Sequence, residues 1–198
     1  MIVWLVRDNM VNIENEIFQW DSFLSKEEYD FVWQEFDKYN WEFIAGEHHR
    51  KQTTPLRVFW FKDLIESKIE PLFKSKIEQF IGLKIRTNRF YGNGQAHGQD
   101  AFIHTDQEIL GNEMDNLQYG SLVYFLHKNW QPHFGGHLIF TDNSTNNIPR
   151  VTASIFPHSN SAVMFNSRTK HMAFSPSIYC TDMRLSIAHK FCISKNQE

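Results

Sequence analysis

The segment that most constrains the fold is 84–193, where short apolar stretches alternate with turn residues. The apolar stretches are rich in Val, Ile, Phe and Tyr, and clusters of Gly, Asn, Pro or Asp separate them. They comprise residues 84–91, 101–105, 119–126, 137–141, 151–156, 161–165 and 184–193. Many short strands with turn signals between them are typical of an all-β barrel or of two packed sheets.

The preceding residues, 1–83, carry helical patterns instead. Ser25 and Glu28 match a capping box, in which each side chain satisfies a free backbone N–H of the other residue. The apolar positions that follow have helical spacing, so the sequence predicts a helix over 26–38.

A second helix is predicted from Asp63 or Glu66 to Gly82, with Pro71 interrupting its apolar face. The stretch RVFWF (57–61) between the two helices is strand-like. Two helices ahead of many strands predict a mainly β (α+β) fold. We expect a jelly roll with the N-terminal helices packed on one sheet.

The chain contains no internal repeat and no linker composition, which predicts one domain over 1–198. Within it, residues 1–83 would form a helical and β support region, and 84–193 the jelly-roll core. The net charge of −3 argues against nucleic acid or an anionic membrane as the main partner. The apolar start is too short for a signal peptide or a membrane span, which favours a cytoplasmic location. The sequence carries no signal for an oligomeric state.

One triplet in the core segment has metal-ligand chemistry. In a strand, residues two apart point to the same face, so His104 and Asp106 can offer one nitrogen and one oxygen to a single ion. Ten histidines in the chain make an isolated H-x-D triplet uninformative. A third ligand changes this, because two histidines and one carboxylate form the facial triad of non-haem Fe(II) sites. His171, which follows an apolar strand, is the best-placed later histidine.

The last strand-like stretch adds an anion-binding element. It places Arg184, Ser186, Ala188 and Lys190 on one face and apolar residues, with one histidine, on the other. An arginine facing the interior is costly unless a carboxylate pairs with it, and only Asp182 is near in sequence. A ligand carboxylate held by the guanidinium would meet this need.

The ordered set of His104, Asp106, His171, Arg184 and Ser186 resembles the Fe(II)- and 2-oxoglutarate-dependent dioxygenases. Within that superfamily, the sequence is most similar to the prolyl 4-hydroxylase-like branch. Three further stretches carry this resemblance: RFYGNG (89–94), VYFLHKNWQPHFGGHLIF (123–140) and SRTKHMAFSP (167–176). The resemblance covers roughly residues 85–193 and implies a double-stranded β-helix.

The resemblance also implies roles for individual residues. His104, Asp106 and His171 would hold Fe(II). Arg184 and Ser186 would bind the distal carboxylate of the cosubstrate 2-oxoglutarate, and Tyr91 would reach the cosubstrate or the substrate at the metal. The reaction would consume O₂, and ascorbate is a further candidate cofactor. Gly135 and Gly136 would form a tight turn beside the barrel.

Other positions are candidates for the rim or for substrate contact: Trp130, His97 and Tyr124. Tyr124 is considered because Phe125 stands where prolyl hydroxylases often place a tyrosine that contacts 2-oxoglutarate. Lys190 is expected to face solvent, although nucleic-acid-dealkylating relatives carry an arginine at that spacing. The segment Ser175–Asp182 is either a lid or a plain loop.

The predicted function is hydroxylation by an Fe(II)- and 2-oxoglutarate-dependent dioxygenase, with a prolyl residue in a peptide or protein as the leading substrate. A small-molecule partner, such as a free amino acid, and a methylated nucleic acid are alternative substrates for the same core. The alternative from another class is a non-catalytic, cupin-like binding protein.

Overall fold

The computed structural model describes residues 13, 16–45, 58–106, 117–142 and 149–194. These residues form two helices, α1 (Lys26–Phe36) and α2 (Ile69–Ile81). They also form ten strands: β1 (Phe18–Trp20), β2 (Glu42–Ala45), β3 (Val58–Asp63), β4 (Ile85–Gln95), β5 (Leu117–Phe125), β6 (Leu138–Thr141), β7 (Val151–Ile155), β8 (Ala162–Asn166), β9 (His171–Ala173) and β10 (Arg184–Ser194). Among the residues described, neither helix is long and apolar enough to cross a lipid bilayer.

The strands form two antiparallel sheets. The major sheet has the order β1-β8-β5-β10-β4-β3-β2, and the minor sheet has the order β7-β6-β9. Sequence neighbours such as β4 and β5 lie apart, with β10 between them, as expected when long connections cross between the sheets of a jelly roll. The predicted mainly β jelly roll is therefore confirmed, and the N-terminal strands β1, β2 and β3 extend its major sheet.

The helices pack on the outer face of the major sheet, as predicted. Helix α1 begins with the expected capping box, in which Ser25 Oγ accepts from the Glu28 backbone N–H and Glu28 accepts from the Ser25 N–H. Helix α2 begins later than Asp63, which ends strand β3. Pro71 does not interrupt α2, because it lies in the first helical turn, where backbone N–H groups have no helical acceptor. Gly82 ends α2 in a left-handed conformation.

Side-chain alternation along β5 and β10 creates two separate cores. Leu122 and Tyr124 of β5, with Ile187 and Phe191 of β10, face the helices and join the larger core. The opposite face of β5, including Phe125, packs against the minor sheet in a smaller core with β6 and β8. The inward face of β10 is polar, and this is the face that lines the cavity between the sheets.

The segment 101–105 departs from the expected strand. Its backbone is irregular and makes a single antiparallel bridge, between His104 and His171. The short strands β1, β2 and β9 were not delimited by the sequence pattern, because each spans only three or four residues.

Candidate metal centre

Backbone pairing brings the His104–Asp106 segment against the start of β9. His104 and His171 exchange two backbone hydrogen bonds, with N···O distances of 3.0 and 2.9 Å. The Asp106 N–H donates to the Ser167 carbonyl at 2.9 Å. The His104 and Asp106 side chains thus converge with that of His171, which is distant in sequence, at one end of the minor sheet.

The two histidine rings are oriented by backbone carbonyl groups. His104 Nδ1 lies 2.7 Å from the Phe102 carbonyl oxygen, and His171 Nδ1 lies 2.9 Å from the Thr169 carbonyl oxygen. A carbonyl oxygen can only accept, so each Nδ1 carries the proton and each Nε2 keeps a free lone pair. Such carbonyl contacts are the usual outer partners of metal-binding histidines.

The free lone pairs face the Asp106 carboxylate. His104 Nε2 lies 3.6 Å from Asp106 Oδ1, and His171 Nε2 lies 3.5 Å from Asp106 Oδ2. The ligand atoms of the three residues all lie within 4.8 Å of one another. Two imidazole nitrogens and one carboxylate oxygen on one side of an ion match the donor set of a facial triad for Fe(II).

The charges of the site favour the ligand forms of these side chains. Burial would raise the pKa of Asp106, but the positive charge of Lys190, together with His171 and His104, holds it well below its ordinary value. Burial lowers the pKa of His171 to about 3, so its imidazole is neutral at pH 7. Metal binding requires an ionised carboxylate and a neutral imidazole, and the fold supplies both.

Arg184 lies in the same cavity, fully buried and without a carboxylate partner among the described residues. Its Nε donates to the Gly136 carbonyl at 2.6 Å, and its Nη1 donates to Gln95 Oε1 at 3.0 Å. Within the part of the chain that the structure describes, its Nη2 has no hydrogen-bond partner. Burial without a counter-ion lowers the pKa of Arg184 to about 10. A buried guanidinium with unused donors is a site for an anion.

The Gly135–Gly136 turn, as predicted, is tight, and it fixes the position of Arg184. Both glycines have positive φ, at 66° and 74°. A Cβ on Gly136 would lie 3.0 Å from Arg184 Cδ and 3.2 Å from Trp130 Cζ2, whereas one on Gly135 would meet nothing within 4 Å. Trp130 supports the turn from behind, because its Nε1 donates to the Gly135 carbonyl at 2.9 Å.

The triad and Arg184 line one cavity of about 100 Å³ between the two sheets. Tyr91 and Ser186 line it too, so the structure brings together all six residues that the sequence assigned to metal and cosubstrate. The cavity also contains residues that the sequence analysis missed, among them Asn93 and Gln95. Their alternation with Tyr91 along β4 was the available signal, since residues two apart share a face.

Two expectations for single residues are not met, and a third candidate residue does not line the cavity. Tyr124 points to the opposite face of β5, where its hydroxyl donates to Asn160 Oδ1 at 3.1 Å, so it does not reach the cavity. Lys190 does not face solvent, because it is 4% exposed and donates to Asp106 Oδ2. His97 is exposed and bonds through Nδ1 to the Pro176 carbonyl at 3.0 Å, outside the residues that line the cavity.

The first half of the Ser175–Asp182 segment is tied to the structure on two sides. Ser175 N–H donates to Asp100 Oδ1 at 2.7 Å, and Ser177 N–H donates to the Phe134 carbonyl at 2.8 Å. The apex of the segment exposes two large apolar side chains, Ile178 at 71% and Tyr179 at 75%. Its base therefore belongs to the framework of the cavity.

Comparison with known proteins agrees with this geometry. The sequence profile of the 2OG-Fe(II) oxygenase superfamily matches residues 96–192, which include the triad and Arg184. No curated protein sequence matches the chain significantly.

Solved structures share the fold at low sequence identity. A prolyl hydroxylase from Trichoplax adhaerens, in complex with a hypoxia inducible factor peptide fragment, has a TM-score of 0.62 at 16% identity, over 91% of this chain and 84% of that one. The viral collagen prolyl hydroxylase of Paramecium Bursaria Chlorella virus-1, in its 2OG complex, has a TM-score of 0.55 at 14% identity, over 89% and 96%. HygX from Streptomyces hygroscopicus, with nickel, 2-oxoglutarate and hygromycin B bound, has a TM-score of 0.59 at 12% identity, over 88% and 82%.

The profile match, the shared fold and the converging triad lead to one assignment. Residues 96–192 match the 2OG-Fe(II) oxygenase superfamily, and the protein is a dioxygenase that depends on Fe(II) and 2-oxoglutarate.

Proposed function

We propose that this dioxygenase hydroxylates a prolyl residue in a peptide or protein. In this proposal His104, Asp106 and His171 hold Fe(II), and Arg184, with Ser186 and Tyr91, holds 2-oxoglutarate. The observation that carries the metal and cosubstrate assignment is the position of Arg184 Nη2, which has no partner among the described residues, in the same cavity as the triad. One small cavity thus offers a metal donor set and a carboxylate receptor.

The protein's own residues would bind and orient the metal ion and 2-oxoglutarate, and they would exclude water. When bound, Fe(II) and 2-oxoglutarate supply the oxidising chemistry. Arg184 would fix the carboxylate remote from the metal, with the Gln95 amide and the Gly136 carbonyl holding its guanidinium in place. Ser186 faces the same space and is 1% exposed, so its hydroxyl can add a donor. Val123 and Leu138 line the cavity and limit the access of water.

Support for a prolyl substrate comes from structural neighbours and from the sequence motifs. Prolyl hydroxylases recur among the solved structures that share this fold, including one from Pseudomonas putida with a TM-score of 0.54 at 17% identity. The RFYGNG stretch, which resembles the tyrosine-containing turn of that branch, places Tyr91 in the cavity wall. Tyr91 packs against Phe61 at 5.4 Å between ring centroids, so its ring is held in one orientation.

A small-molecule substrate is the second candidate, because HygX shares the fold to a similar degree and binds hygromycin B. The two candidates differ in the molecule that gains oxygen. Purified protein would be incubated with Fe(II), 2-oxoglutarate and either a library of proline-containing peptides or a library of free amino acids and other metabolites. Mass spectrometry would then find which library gains one oxygen atom. Oxygen gain in the peptides alone supports the proposal, and oxygen gain in the metabolites alone overturns the prolyl assignment.

The metal site has its own test, independent of the substrate. Anaerobic addition of 2-oxoglutarate to the Fe(II)-loaded protein should produce the visible metal-to-ligand charge-transfer band. His104→Ala and Asp106→Ala should abolish the band and the succinate formed in air, because each removes one of three ligands. His133→Ala, which changes an exposed histidine away from the cavity, is the matched control and should keep both. A full band in either ligand variant contradicts the assignment of the triad.

A further inference from the structure

Lys190 is the buried charge that the proposed reaction leaves unexplained. It lies on the inward face of β10, two residues beyond Ala188, and lines the cavity with the triad. Its ammonium donates to Asp106 Oδ2, although the two residues are 84 positions apart in sequence. The opposite orientation, towards solvent, is the ordinary one for a strand lysine.

The two oxygens of Asp106 have unequal surroundings. Oδ2 accepts from Lys190 Nζ and from Ser121 Oγ, the latter at 2.7 Å. Ser121 Oγ lies 2.8 Å from Ser167 Oγ, so the serine is itself held in place. Among the described residues, no hydrogen-bond donor contacts Oδ1, and its neighbour is the Nε2 atom of His104 at 3.6 Å. A carboxylate oxygen has about two lone pairs, so Lys190 and Ser121 occupy Oδ2.

Without these donors, nothing in the triad would distinguish the two oxygens. The Nε2 atoms of His104 and His171 lie at nearly equal distances, 3.6 and 3.5 Å, from Oδ1 and Oδ2 respectively. A carboxylate presented in this way can bind a metal through one oxygen or through both. The second mode would fill a position that the facial triad leaves open for cosubstrate and O₂.

We propose that Lys190 is a positioning residue that, together with Ser121, restricts Asp106 to binding the metal through Oδ1 alone. Lys190 thereby keeps a coordination position open for 2-oxoglutarate or O₂. This inference rests on the proposed metal site, and it gives a role to a residue outside the triad and the 2-oxoglutarate-binding set.

The test is Lys190→Met, which keeps the length of the side chain and removes its charge and donors. Co(II) replaces Fe(II), so that metal binding can be followed by visible absorption without turnover. The affinity for Co(II) should be kept or increased, because a second oxygen becomes available and a neighbouring positive charge is removed. The Co(II) spectrum, recorded before 2-oxoglutarate is added, should change with the coordination number. The affinity for 2-oxoglutarate should then fall by about tenfold to 100-fold, the usual effect of losing an outer partner of a metal ligand.

Lys62→Met is the matched control. Lys62 is 3% exposed, but its Nζ donates to the Phe36 carbonyl at 2.9 Å, away from the cavity. This control should leave the Co(II) spectrum and the affinity for 2-oxoglutarate unchanged. Ser121→Ala removes the smaller of the two donors and should shift both readouts in the same direction as Lys190→Met. If Lys190→Met does not fold, the Co(II) spectrum and the 2-oxoglutarate affinity of Ser121→Ala test the proposal instead.

The outcomes separate this inference from the proposed function. If the unmodified protein binds neither Co(II) nor 2-oxoglutarate, the metal site itself is wrong. If the unmodified protein binds both, and Lys190→Met and Ser121→Ala retain its Co(II) spectrum and its affinity for 2-oxoglutarate, the metal site stands and the role of Lys190 is refuted. A parallel loss of both affinities in the folded Lys190→Met variant would also refute it, because that pattern indicates general damage to the site.

Discussion

Replacing Arg184 with methionine should abolish cosubstrate binding while leaving the folded structure nearly as stable as before. At a fully buried residue, a substitution that abolishes binding usually also reduces stability. The two effects separate here because, among the described residues, Arg184 has no counter-ion and its Nη2 has no partner. The buried guanidinium thus destabilises the ligand-free protein and contributes favourable free energy only when an anion is bound.

The magnitude follows from the surroundings of the guanidinium. Burial lowers the pKa of Arg184 from its ordinary 12.5 to about 10, which corresponds to about 3 kcal/mol of unfavourable desolvation. Methionine removes that cost but leaves the Gly136 carbonyl and Gln95 Oε1 without their donor, at about 1–3 kcal/mol each. The two effects largely cancel, so the free energy of unfolding should fall by no more than about 3 kcal/mol.

The affinity for 2-oxoglutarate should only decrease, because no gain offsets the hydrogen bonds that the substitution removes. Two charge-assisted hydrogen bonds to a carboxylate, each worth about 1.5–3 kcal/mol, correspond to at least about a 100-fold loss of affinity. Calorimetric titration of 2-oxoglutarate into the Mn(II)-loaded protein measures this loss, and urea unfolding of the ligand-free protein measures stability. Arg86→Met, which removes an exposed arginine from β4, is the control and should change neither quantity appreciably.

Two results would refute the reasoning. If Arg184→Met binds 2-oxoglutarate within tenfold of the unmodified protein, the guanidinium is not the carboxylate receptor. If the variant loses more than about 4 kcal/mol of stability, the guanidinium is a structural element whose two hydrogen bonds outweigh its burial.

Two further predictions concern backbone strain and pH. Gly136→Ala and Gly135→Ala should each lose about 1–2 kcal/mol in urea unfolding, since both glycines have positive φ. Only Gly136→Ala should raise the KM for 2-oxoglutarate, because only its Cβ would displace Arg184, and equal KM values in the two variants would contradict this. Burial lowers the pKa of His189 to about 3, so the stability it contributes is complete above pH 6.5 and falls towards pH 3 by about 1.4 kcal/mol per pH unit. His189→Phe should therefore lose less stability than the unmodified protein between pH 7.5 and 5.5 in urea unfolding, and an unchanged pH dependence would show that His189 is not the cause.

The sequence pattern was sufficient to predict the parts of the fold that depend on local alternation. The two faces of β10 followed from a period of two, and Arg184 and Ser186 do point inward. Helix α1 was predicted because Ser25 and Glu28 are a local signal whose partners lie within one turn. These features need no knowledge of distant contacts, so a single sequence is enough to predict them.

Other features depend on partners that the sequence does not identify. The alternation placed Lys190 on the inward face, yet its charge favoured solvent, and the deciding partner, Asp106, is reached only through the fold. For β5, the sequence did not determine which of Tyr124 and Phe125 faces the minor sheet, because both are aromatic and a shift of one residue exchanges the two faces. Pro71 was misjudged because its effect depends on where the helix begins, and helix boundaries are set by packing as well as by local signals.

The alternation of strand β10 has a consequence for how this protein can change over time. Its outward side chains, such as Ile187 and Phe191, pack in the core with the helices, whereas its inward side chains, such as Arg184 and Lys190, line the cavity. A mutation on one face therefore alters folding, and a mutation on the other alters which molecules are held. New specificities can arise through single inward substitutions on β10 while the outward side chains continue to hold the scaffold together.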